Sequence, residues 1–95
     1  MITISIDCAP GTTRPGTYFK YIVNEIVGNS NLSQEAKDYI NKFRNKEKDM
    51  AMFGEWTWKL EEPGSASVRN EILKYFGDAL TLYYHNGGIR SAGWS

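Results

Sequence analysis

Residues 51–61, AMFGEWTWKLE, decide the fold of this chain. Met52, Gly54, Trp56, Trp58 and Leu60 fall on one side of an extended backbone, and Phe53, Glu55, Thr57, Lys59 and Glu61 on the other. Successive strand side chains point to opposite faces, so this alternation predicts a sheet with one face covered and one face wet. Gly54 within the run marks a bulge or a close approach of another backbone. An earlier strand is expected over about Thr3–Asp7, from the β-branched run Ile2, Thr3, Ile4 and Ile6.

Helical spacing fills the intervals. Tyr18, Phe19, Ile22, Val23 and Ile26 form one apolar stripe, which predicts a helix from about Thr17 to Val27 with Gly28 as its stop. Ser33 or Asn31 caps a second helix, with Glu35 in its first turn and Ala36, Tyr39, Ile40 and Phe43 as its inner seam. Ser67 is expected to cap a third helix, with Val68, Ile72, Leu73 and Phe76 inward and Gly77 at its end. Thr81, Tyr83 and Tyr84 favour a strand over Ala79–His85, Asn86-Gly87 a type I′ turn, and Ile89–Trp94 a returning strand. A competing reading continues the third helix through Gly77 to Tyr84 and caps it with Gly87. The expected order is β-α-α-β-α-β-β: a single α+β domain over residues 1–95, with a mainly antiparallel sheet and helices packed on one face.

Composition narrows the function classes. The chain has 95 residues, 11 basic and 11 acidic, so no generic polyanion binder or acidic mimic of DNA is expected. One cysteine and one histidine exclude a disulfide framework and an ordinary zinc site, and no metal or cofactor is implied. No apolar run approaches the ~20 residues needed to span a bilayer. The opening MITISID lacks the pattern of a signal peptide, and a cytoplasmic protein with no membrane partner is expected. Three Trp, six Tyr and four Phe are many for so short a chain, whether they serve the core or a binding surface.

The loop after the first strand reads Cys8-Ala-Pro-Gly11-Thr-Thr-Arg14. Its Cys-x-x-Gly-x-x-Arg spacing, between a strand and a helix, resembles the phosphate loop of cysteine phosphatases, including the low-molecular-weight members. The resemblance covers about nine residues. It implies a Cys8 thiolate that attacks phosphorus and an Arg14 that clamps the oxygens. Pro15 stands where that family carries Ser or Thr. Asp7 adjoins the cysteine, and only Asp78, Glu61 and Glu62 stand as placeholders for a general acid. Ile6-Asp7 before Gly11-Thr12-Thr13 also resembles the first strand of RNase-H-like nucleases and actin-like ATPases, with the acid displaced from the turn and the later acidic strands missing.

Aligned strands would place Phe53, Lys59, Tyr83, His85, Arg90 and Trp94 on a helix-free sheet face, with aromatic groups between cations. Lys42, Arg44, Lys46 and Lys48 form a local basic run, read as a solvated helix end. The expected function is therefore a non-enzymatic binding protein of adaptor or inhibitor type, in the style of phage or mobile-element accessory proteins. It would recognise a protein through that face and the 8–16 loop, as a monomer or homodimer. The alternatives are a phosphate-loop enzyme using Cys8 and Arg14, and a binder of single-stranded nucleic acid.

Overall fold

A computed structural model describes residues 1–95, and it is an α+β domain. In chain order the elements are β1 (Ile2–Asp7), α1 (Pro15–Gly28), α2 (Gln34–Asn41), β2 (Met50–Met52), β3 (Glu55–Leu60), α3 (Ala66–His85) and β4 (Ser91–Trp94). The four strands form one antiparallel sheet in the order β2-β3-β1-β4. Three helices cover one face of it, as the one-sided alternation of 51–61 implies.

β1 is central, and its period-two burial is complete: Ile2, Ile4 and Ile6 are fully enclosed, whereas Thr3, Ser5 and Asp7 face the open side. Their register partners Leu60, Trp58 and Trp56 extend the same inner layer across β3. Phe19 of α1 lies flat on Trp58, with ring centroids 4.4 Å apart and planes 3° from parallel. Phe76 of α3 adds a third ring 6.1 Å from Phe19. Each such side chain removes well over ~100 Å² of apolar surface from water, so this cluster supplies much of the driving force for a small core.

Two sequence expectations are corrected. The 51–61 run is not one strand: Phe53-Gly54 forms a two-residue turn and splits it into the β2–β3 hairpin. The turn resets the alternation, so Met52 pairs with Glu55 and joins the outer face rather than the core. The third helix does not end at Gly77. Ser65, not Ser67, caps it by accepting from the Val68 amide, and it runs on to His85. Residues 79–85 therefore leave the sheet, and only Ser91–Trp94 returns to it.

The cause is visible at the helix end. The Gly87 amide donates to Tyr84 and the Gly88 amide to Tyr83, with Gly87 at φ +78°. This is a Schellman cap, in which glycine takes the left-handed position. Asn-Gly serves such a cap as readily as a type I′ turn. Thr81 returns its hydroxyl to the Gly77 carbonyl at 2.9 Å, which reconciles a β-branched residue with the helix.

Gly54 holds a close approach. A Cβ there would stand 2.6 Å from the Cys8 carbonyl oxygen and 2.9 Å from an Asp7 carboxylate oxygen. We expect Gly54→Ala to push the hairpin off β1 and destabilise the fold by about 1–3 kcal/mol. The check is a lower urea midpoint at unchanged denaturant slope.

Candidate functional site

The loop between β1 and α1 begins with its cysteine indoors. Cys8 is only 4% exposed and belongs to the core cluster. Burial pushes its thiol pKa up, the neighbouring Asp7 carboxylate pushes it further, and Arg90 opposes both. Asp7 is itself clamped by Arg90, whose Nε and Nη2 approach its carboxylate oxygens at 2.9–3.1 Å. The cysteine is therefore a protonated core residue at neutral pH, whereas phosphoryl chemistry needs the thiolate. Arg14 is exposed at the far end of the loop, as the residue preceding α1. The proposed pairing of a Cys8 nucleophile with an Arg14 clamp thus lacks its nucleophile.

The loop is a built structure. Thr12 turns both its amide and its hydroxyl onto the Ala9 carbonyl, at 3.2 and 2.6 Å, and Gly11 takes φ +84°. Against it stands the hairpin turn, tied by the Cys8 amide donating to the Gly54 carbonyl at 3.2 Å. Phe53, at the first turn position, is 100% exposed and held at φ +56°. Gly54 does not share a positive φ, so the turn has the type II′ pattern, whose first position favours glycine. A depression of about 450 Å³ runs between Phe53, Gly54, Trp56 and the 8–15 loop.

A second cleft, of about 370 Å³, adjoins the first and shares Arg14 and Trp56 with it. Lys20, Lys46 and Lys48 line it beside Arg14. The Lys48 ammonium sits 3.6 Å from the Trp56 ring centre, a cation–π contact. Gly16 makes room for the indole: a Cβ there would lie 2.6 Å from Trp56 Cζ3.

The six residues expected on one sheet face are dispersed. Phe53 is at the hairpin tip, and Lys59 lies on the open face of β3. Tyr83 and His85 belong to α3; Tyr83 packs on Tyr18 with centroids 4.8 Å apart and donates to Glu25 at 3.1 Å. Arg90 is engaged with Asp7. Trp94 pairs with Ile4 and so points to the helix side, where its indole fills the space left by Gly77; it remains 41% exposed. Across β1, β3 and β4 the open face is polar, with Thr3, Ser5, Thr57, Lys59 and Ser91 and a Ser5–Thr57 hydroxyl pair at 3.1 Å, and Met50 and Met52 of β2 form its apolar edge. An aromatic sheet face is thus replaced by an aromatic hairpin tip. Lys46 and Lys48 were legible as a basic run, but nothing in the sequence joins them to Arg14 and Lys20.

No three His, Cys, Asp or Glu side chains converge as a metal site requires, and no helix is long and apolar enough to cross a membrane. No protein-family model, curated protein or solved structure gives a significant match to this chain.

Cys8 is expected to react with iodoacetamide at pH 7.5 at least about tenfold more slowly in the native protein than in urea, followed by mass spectrometry. The sign of the linked stability follows from the raised pKa. The thiol's contribution is intact below its ordinary value of 9.0 and declines as pH rises through the interval up to its folded value. Tyr39, pushed up to about 12 chiefly by burial and then by Glu62, adds a loss of the same sign above pH 10. Unfolding midpoints should therefore fall from about pH 9 upward.

Proposed function

We propose that this chain is a small recognition protein of adaptor or inhibitor type, which grips a protein partner with the tip of its β2–β3 hairpin and the adjoining 8–16 loop. One observation carries this reading: Phe53 is wholly exposed on a left-handed backbone. A bulky residue at positive φ costs about 1–2 kcal/mol relative to glycine. The ring makes no internal contact that offsets this, so the fold gains nothing from a phenylalanine here. Strain retained on an exposed loop is a mark of sites that meet a partner.

The surroundings suit such a partner. Met50 and Met52, on the edge strand β2, are 54% and 62% exposed. Methionine adapts its shape to apolar surfaces, and aromatic side chains dominate interface hot spots. The outer edge of β2 also leaves backbone groups free to pair with an incoming strand. Steric preference and exposure thus converge on one short hairpin.

Phe53→Gly separates the two roles of the position. Its expected effect on the fold is neutral to stabilising, by up to about 1 kcal/mol, because glycine adopts this φ freely. Its expected effect on binding is loss. Wild-type and variant baits should differ in the proteins they retain, with the partner captured by the former alone and identified by mass spectrometry. Identical retained sets on the two baits, with both proteins folded, overturn the proposal.

A further inference from the structure

We infer that the partner seated on the Phe53 hairpin presents an acidic protein segment, whose carboxylates lie in the cationic cleft beside Trp56. The inference rests on the hairpin reading and specifies the chemistry of what docks there. Arg14, Lys20, Lys46 and Lys48 line the cleft, and Glu47 is its sole acidic side chain. Lys46 reaches Asp49 at 3.4 Å, but Arg14, Lys20 and Lys48 take part in none of the protein's five ion pairs. Three exposed cations therefore converge without internal compensation in a chain whose formal net charge is zero. Arg14 and Trp56 line both the cleft and the depression under Phe53, so the apolar knob and the cations belong to one continuous surface.

The geometry favours carboxylates on a protein over single-stranded nucleic acid. Base recognition of that kind needs an open aromatic face flanked by a basic track. Trp56 offers none: Lys48 stands over the ring and Gly16 presses against it. Phe53 stands between Met52 and Gly54, and Arg14 is the single cation lining the depression beside it, so no basic track runs along the ring. The basic region is also local, since the acids Glu35, Asp38, Glu61 and Glu62 line a separate cleft. Charge of this kind guides encounter and orientation more than it adds affinity, while the apolar anchor provides the hold.

The test titrates the ¹⁵N-labelled full chain with three probes: a short peptide of glutamates flanking one leucine, the same peptide with glutamines, and an oligothymidylate of similar length. The glutamate peptide should shift the amides of Gly16, Lys48 and Gly54 saturably, and the glutamine peptide should not. Raising sodium chloride from about 50 to about 300 mM should weaken that binding about fivefold. The double variant Lys20→Glu with Lys48→Glu should weaken it about tenfold while its spectrum stays dispersed. Equal shifts with both peptides, no shifts with either, or stronger shifts with oligothymidylate overturn the inference. A silent titration leaves the hairpin reading standing, because differential capture by wild type and Phe53→Gly judges that reading separately.

Discussion

The Cys8 amide donates to the Gly54 carbonyl, and Gly54 lies too close to Cys8 for any Cβ. This contact sets the end of the β1–β3 register and lays the hairpin turn against the loop that enters α1. β1 itself cannot slip, because a one-residue shift would turn Ile2, Ile4 and Ile6 outward and bring Thr3 and Ser5 into the core. A central strand locked by its isoleucines therefore determines where a surface turn sits. Phe53, Trp56 and Arg14 share a surface for that reason, although Arg14 and Trp56 are 42 positions apart in the chain.

The aromatic wealth of the chain serves mostly the interior. Trp58, Phe19 and Phe76 are fully enclosed, and Tyr18 and Tyr39 nearly so. A domain of this size buries a modest share of its surface, and large rings supply much apolar contact per residue. Tyr75 and Tyr83 both direct hydroxyls to Glu25 along the outer side of α1 and α3. Trp94 closes the end of the core over Gly77. Once these duties are assigned, Phe53 stands out as a ring with no structural task. Ring count alone could not have singled it out, since core and interface draw on the same residue types.

Sheet class and core were legible because they follow from periodicity. The stripe of α1 buries every residue its spacing nominates, and Ala36, Tyr39 and Ile40 of α2 and Trp58 and Leu60 of β3 are buried likewise. Trp56, by contrast, is half-buried, Thr57 of the opposite face is enclosed, and Phe43 lies beyond the end of α2. What periodicity could not resolve was punctuation. Phe53-Gly54 is a poor turn by preference, with the glycine in the second position instead of the first, so the run reads as unbroken until the pairing is seen. Asn86-Gly87 misled in the opposite sense, because the left-handed glycine that closes a hairpin also closes a helix. Local β preference at Thr81, Tyr83 and Tyr84 lost to tertiary packing, with Tyr83 lying on Tyr18 and reaching Glu25.

The site was half legible for a related reason. A net charge of zero averages over space, and the fold does not. Arg14 and Lys20 leave the start of α1, and Lys46 and Lys48 leave the segment before β2, yet all four border one cleft. Four acids, Glu35, Asp38, Glu61 and Glu62, border another, with Lys42 as the one cation among them. A neutral molecule with its charges sorted in this way has an oriented field without the long-range attraction of a polycation. It would ignore most polyanions at physiological salt, where charges more than ~8 Å apart are screened, and still align a partner that presents a few carboxylates at contact distance. Such selectivity suits a hairpin whose apolar tip could otherwise adhere to many surfaces.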